Sequence, residues 1–287
     1  MRSSDDIKKL VLGIAENDSR IRAVLLGGSR ADAKIIPDKY QDFDIVFIVT
    51  DLQSFVSNHS WTNIFGEKLI WQLPDEMILD NNETKNHINF HYLMLFKDGN
   101  RIDLTLSPIG KIKDHFHHEG MSITWLDKDK LFPTKSVAHD SYHTIKKPTQ
   151  KQFLDVCNEF WWVSTYVAKG LLRNEITYSK EMLERFVRPM FMKIVEWYVG
   201  AKTEFSVSIG KGGRFMKNYL SETIYDRILQ TYSDRHSENN WKSLFVMMEL
   251  FSQLASSVAN VLGFHYNIDE GKNVTTYIER LYDDQDY

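Results

Sequence analysis

Asp42 and Asp44 stand one residue apart at the mouth of an apolar run, DFDIVFIV, and a Gly27-Gly28-Ser29 turn precedes them. In an extended strand alternate side chains share a face, so the two carboxylates point one way while Phe43 and Ile45 point the other. Two like charges held side by side repel, and a divalent cation gripped by both is the simplest offset. Asp103, in RIDLTL, alternates with Ile102 and Leu104 and so shares its face with Arg101 and Thr105; a neighbouring strand could bring it to the same pocket. The glycines let backbone approach a ligand, and their amides with the Ser29 hydroxyl suit phosphate oxygens. Each feature has an ordinary reading when isolated: Asp-x-Asp pairs solubilise edge strands, and Gly-Ser pairs make tight turns. The apolar residues after Asp44 argue against an exposed edge, so the combination reads as a cation and phosphate site.

Elements able to position these residues follow from periodicity. Ile7, Leu10, Val11 and Ile14 recur at helical spacing, which predicts a first helix over 5–17 capped by Ser4. IRAVLLGG reads as a strand ending in glycines, DFDIVFIV as a central strand apolar on both faces, and NFHYLMLF with RIDLTLSP as a hairpin turning at Asp98-Gly99. These make a small mixed sheet. Beyond it, segments of helical period run at about 149–173, 179–200, 213–232 and 238–262. IKKPT forms the joint, because Pro148 disfavours helix in the residue before it, giving domains of 1–145 and 146–287. The tail DDQDY is expected to fray.

With 287 residues, 43% of them hydrophobic, the chain can bury sizeable cores. Lys plus Arg at 35 against Asp plus Glu at 39 gives 35 − 39 = −4, so no general basic field recruits nucleic acid. Cys157, the only cysteine, has no intramolecular partner, which fits a reducing interior. Charges at Asp5, Asp6, Lys8 and Lys9 interrupt what would be a signal peptide's apolar core, and no apolar run approaches the roughly 18 residues that span a bilayer. The expectation is a soluble, cytoplasmic protein with no membrane partner.

GGSR followed by DFD, with the later Asp103, resembles the Gly-Ser and Asp-x-Asp signature of the nucleotidyltransferase superfamily. QDFDIVFIVTD, DGNRIDLTL, IKKPT and CNEFWWVSTYVAKGLLRNE extend the likeness across nearly the whole chain to the aminoglycoside 6-adenylyltransferases that modify streptomycin. The resemblance implies an α/β nucleotidyltransferase domain followed by an all-α helical bundle that binds substrate, with ATP and antibiotic in a cleft between them. It implies transfer of AMP from ATP to a streptomycin hydroxyl, dependent on Mg2+ and releasing pyrophosphate. The family's motif falls on Gly28, Ser29 and Arg30 for the triphosphate, on Asp42 and Asp44 for the metal, and on Asp103 as third carboxylate and base. Some related streptomycin-modifying enzymes use a glutamate base where this chain offers the shorter Asp103. Alternatives are nucleotidyl transfer to a lincosamide or another aminoglycoside, and a silent nucleotide-binding partner like the much shorter antitoxins built on this fold.

The helical half adds candidates. Asp155 and Glu159 lie four residues apart on one predicted helix face, with Trp162 further along the stripe. Streptomycin's guanidinium groups suit carboxylates and an aromatic face, although a solvated acid pair beside core tryptophans accounts for the same residues. Tyr166 and Lys169 continue that helix, and in the superfamily a lysine from the helical domain often meets the phosphates. GKGGRFMK at 210–217 lacks the Walker spacing and reads as a loop, with Lys211 a minor candidate. His117 and His118 are adjacent and point apart in regular structure, so they read as loop residues. DKDK at 127–130 lacks the glycine of a calcium loop.

Overall fold

The computed structural model describes residues 1–32, 35–36, 38–79, 88–111, 122–132 and 144–284. The chain divides into two compact units, Met1–Tyr142 and His143–Tyr287. The first opens with helix α1 (Ser4–Asn17), whose cap is Ser3 and not Ser4. The Ser3 hydroxyl accepts from the Asp6 amide while the Asp6 carboxylate accepts from the Ser3 amide, and this reciprocal box sets the start one residue earlier.

Strands β1 (Ile21–Leu26), β2 (Phe43–Val49), β3 (Lys68–Gln72), β4 (Phe90–Phe96), β5 (Arg101–Pro108) and β6 (Ile123–Asp127) form one mixed sheet in the order β3-β4-β5-β2-β1-β6. β2 is central as expected, antiparallel to β1 and parallel to β5. β4 and β5 form the expected hairpin: Gly99 takes φ +84° and the Phe96 amide donates to the Asn100 carbonyl at 2.9 Å. The Asp98 carboxylate of that turn accepts from the backbone and guanidinium of Arg2, tying the chain start to the hairpin. β3 and β6 occupy the sheet's two edges; both are short and mostly unburied, so neither carries the burial that marks the inner strands.

The sheet's faces are unequal. Ile45, Phe47, Ile102 and Leu104 pack with Ile7 and Val11 of α1 and with Phe55 and Phe65, supplied by a short helix α2 (Gln53–Val56) and the turns over His59–Phe65. The other face carries a smaller cluster of Ala23, Leu25, Val46, Ile48 and Phe132. That smaller face leaves room for polar residues at the strand ends.

The second unit is helical: α3 (Gln150–Leu172), α4 (Ile176–Met182), α5 (Arg188–Lys202), α6 (Glu222–Gln230), α7 (Ser237–Leu262) and α8 (Ile268–Asp283). A Thr149/Gln152 capping box starts α3 within a residue of expectation. The segment expected over 179–200 runs instead from Ile176 to Lys202 with a π-turn at Leu183–Val187, just ahead of Pro189, whose ring cannot continue regular helical bonding. The segment expected over 213–232 shortens to α6, because Gly210, Gly212 and Gly213 adopt positive φ and Ser221 caps anew. α8 is not foreseen by the pattern, being mostly charged and polar. Ile145 packs in the helical core, its amide donating to Val207.

α7 corrects one expectation: by length and composition it could cross a membrane. One face of it is occupied within the unit, where Trp241, Leu244, Met247, Phe251, Leu254 and Val258 are buried against α3 and α5 residues such as Phe160 and Ile194.

Candidate active site

The parallel pairing of β2 with β5 sets Asp44 directly opposite Asp103, one step along from the Phe43–Ile102 pair. Asp42 precedes β2 by one residue. Because Phe43, Ile45, Ile102 and Leu104 are all drawn into the larger core, the intervening carboxylates are turned to the smaller face. The strand alternation expected for all three residues therefore holds, and the sheet register supplies the adjacency that spacing alone left open.

The glycine turn closes on the same spot. β1 ends at Leu26, the Gly27 amide donates to the Asp44 carbonyl at 2.7 Å, and Gly28 takes φ +63°. A Cβ on Gly28 would overlap the Asp44 carboxylate, so only glycine fits. Ser29 follows in a single 3-10 turn, Gly28–Arg30. Arg30 is engaged locally: its guanidinium donates to the carbonyls of Gln41 and Asp42, reaches the Ser4 hydroxyl at 3.1 Å, and lies 3.8 Å above the Phe43 ring. In this arrangement Arg30 fastens the glycine turn to the residues that lead into β2.

A second cation lies among the carboxylates. Arg101 Nε donates to Asp103 Oδ1 and Nη2 to Asp103 Oδ2, both at 2.7 Å, and Nε stands 3.5 Å from Asp42 Oδ2. These Asp103 bonds hold the Arg101 guanidinium above its usual range. Burial pushes the Asp42 carboxyl above the ordinary carboxylate range; the Asp103 charge adds to the rise, and Arg101 and Arg30 oppose it.

Three carboxylates on one face suit a hard divalent cation, which takes oxygen ligands. Among the described residues no three His, Cys, Asp or Glu side chains already converge on a common point. The Arg101 guanidinium lies between Asp42 and Asp103, bonded to both oxygens of the latter.

On α3, Asp155 and Trp162 are exposed as the stripe requires, while Trp161 is buried in the core. Asp155 is paired with Lys151 at 2.6 Å; Glu159 is exposed and has no ion pair among the described residues. The Trp162 indole N–H donates to the Tyr166 hydroxyl at 2.7 Å, fixing the two rings edge to face. α8 lies alongside, leaving a cavity of about 280 Å³ lined by Trp162, Tyr166, Lys169, Asn158, Glu270 and Tyr277. Lys169 Nζ sits 6.0 Å over the Tyr277 ring, and the Asn158 amide donates to Glu270 at 2.7 Å. Glu270 and Tyr277 escaped the sequence reading with α8 itself. Their signal is faint: Val274, Ile278 and Leu281 at helical spacing, with Asp269 and Glu270 in the first turn.

The remaining motifs resolve into structure. Lys211 is exposed in the glycine-rich turns. The DKDK acids have other partners, Asp127 accepting from the Leu131 and Phe132 amides and Asp129 pairing with Arg22. His117 and His118 lie outside the described residues. Burial pushes the Cys157 thiol up to about 12, the Glu270 charge adding to the effect, so it is unreactive at neutral pH.

A family model described as streptomycin adenylyltransferase matches residues 1–281. An aminoglycoside 6-adenylyltransferase of Bacillus subtilis (strain 168) is 42% identical over 98% of this chain and 99% of its own. Proteins of the same name from Campylobacter jejuni and Staphylococcus aureus are 40% and 34% identical, covering 98% and 99% of this chain and 96% and 100% of theirs. A crystal structure of an aminoglycoside 6-adenyltransferase from Bacillus subtilis aligns with 98% of this chain and 99% of its own at 39% identity and a TM-score of 0.48.

Proposed function

Because the chain belongs to the streptomycin adenylyltransferase family and is a nucleotidyltransferase, we propose that it transfers AMP from ATP to the 6-hydroxyl of streptomycin, releasing pyrophosphate. The observation that carries this reading is the carboxylate face, where sheet register sets Asp44 beside Asp103 behind a turn that only Gly28 can make.

Phosphoryl transfer is catalysed mostly by positioning and by neutralising charge. In this reading Asp42 and Asp44, with Asp103 as a third carboxylate, would hold a magnesium ion. Magnesium would supply Lewis-acid polarisation at the α-phosphate and charge neutralisation at the leaving pyrophosphate. The Gly28 and Ser29 turn offers backbone and hydroxyl donors to the triphosphate, while Arg30 keeps that turn seated. Asp103 accepts the proton of the attacking hydroxyl, its orientation set by a rigid strand.

The antibiotic is a polycation, and Glu159, Asp155 and Trp162 on α3 offer it charge and an aromatic face. Asp155 already pairs with Lys151, so Glu159 is the better ligand. Lys169 and Tyr166 line the α3–α8 cavity, and we assign them to the triphosphate as the superfamily resemblance implies. A cytoplasmic setting provides the ATP and magnesium this reaction needs.

Incubating the protein with ATP, magnesium and streptomycin, followed by mass spectrometry, tests the proposal directly. One added adenylate on streptomycin supports it, and fragmentation locates the hydroxyl. Transfer only to a lincosamide or to other aminoglycosides in the same panel would replace the substrate, and no transfer to any of them would remove the reaction.

A further inference from the structure

Arg101 is not among the residues assigned above to metal, nucleotide or acceptor, yet it makes close polar contacts with two of the three carboxylates. It stands two residues before Asp103 on β5 and thus shares its face. Both of its bonds to Asp103 are 2.7 Å, one to each oxygen, in the planar fork that guanidinium makes with carboxylate. The same Nε lies 3.5 Å from Asp42, and the Arg101 side chain is 42% exposed, so its stem can swing away without opening a core.

We propose that Arg101 is a positioning residue, the resident counter-ion of the carboxylate face, and that the divalent cation taken up by the aspartates must displace it. The proposal rests on the metal reading of Asp42, Asp44 and Asp103 given above. Its physical basis is competition. Three neighbouring carboxylates repel one another unless a cation lies among them, and the guanidinium fills that role before the metal arrives. A carboxylate oxygen could in principle face both partners, but a divalent ion and a guanidinium sharing Asp103 would repel at a few ångströms. Arg101 therefore preserves the spacing of the carboxylates and at the same time weakens their hold on free metal.

The test is Mn2+ alone, titrated by electron paramagnetic resonance into the full chain without nucleotide. Arg101→Gln should bind Mn2+ roughly tenfold more tightly than wild type, the size expected when one charge-assisted contact no longer has to be broken. Arg101→Lys keeps the charge without the fork and should fall between them. Thermal melting gives a second readout: Arg101→Gln should melt lower than wild type without metal and gain more from added Mn2+. A residue with a merely structural role would lower the melting temperature without tightening metal binding. Asp44→Asn separates the two layers of the argument. If it removes Mn2+ binding while neither Arg101 variant tightens it, the displacement proposal is overturned and the metal reading stands. If Asp44→Asn leaves Mn2+ binding unchanged, the metal reading fails and the proposal with it.

Discussion

The sheet and the helical bundle expose their charged residues by different means, and the contrast explains why one set is tightly placed and the other loosely. On the sheet, Asp44 and Asp103 are set opposite each other by backbone ladder bonds, and flanking core residues prevent a slip of register. On α3, the helix decides only that Asp155, Glu159, Trp162 and Tyr166 fall near one face. What that face does depends on the helix lying beside it, here α8 with Glu270 and Tyr277. Removing a charge on the sheet should therefore cost turnover, whereas removing one on α3 should cost acceptor affinity.

The contrast breaks most plainly at Asp44. Asp44→Asn should lower kcat by about 1,000-fold or more, the scale of losing electrostatic stabilisation of a phosphoryl transition state, with the circular dichroism spectrum unchanged. A mutant turning over at wild-type rate would remove the sheet from the chemistry. Gly28→Ala should come next, at roughly 100-fold, because the new methyl group meets the Asp44 carboxylate at a positive φ. A lowered melting temperature should accompany it, and normal kinetics would mean that the turn can shift without consequence.

Asp103→Asn should also cost roughly 100-fold, within the range of lost general-base catalysis, while ATP still binds. Recovery of the rate at high magnesium would reassign Asp103 from base to metal ligand. On α3, Glu159→Gln should raise the streptomycin KM about tenfold or more with kcat nearly constant, since a charge-assisted contact is worth about 1.5–3 kcal/mol. Asp155→Asn should do less, because its carboxylate is already paired with Lys151 in an exposed position. Equal KM values for both mutants and wild type would detach the stripe from the acceptor.

The smallest effect belongs to the sheet region away from the carboxylate face. Burial would raise the Asp98 carboxyl, but bonds from Arg2 and Asn100 win and hold it well below the ordinary carboxylate range. A depressed folded-state value stabilises the fold above the unfolded carboxyl's 3.8, and the contribution is lost as pH falls from there through the folded value. Asp98→Asn should therefore melt lower than wild type near neutral pH, with the difference shrinking as pH drops below 3.8. A gap that stays constant with pH would show that the ion pair contributes through packing instead of charge.

Much of this was legible in the residues. Period-2 alternation gave β2 and β5 their faces because one face had a large core to fill, and period 3.6 located α3 and α7 nearly to the residue. The glycine-rich run at 210–217 read as a loop, yet apolar periodicity from 213 onward suggested a longer helix than forms, and the Ser221 cap emerged only with the structure. α8 gave only a faint signal because few of its residues are buried, so its existence depends on neighbours already in place. β3 and β6 escaped for the related reason that an edge strand needs only one partner and little burial.

By itself the sequence determined which residues are carboxylates, which strand faces they occupy, and that a glycine turn precedes them, because strand alternation is a local property of the backbone. Tertiary structure alone decided that β5 lies parallel beside β2 with Asp103 opposite Asp44, that the Gly28 α-carbon abuts the Asp44 carboxylate, and that Arg101 lies among the acids. Strand order and register are fixed by contacts between segments far apart in the chain, and no local spacing encodes them.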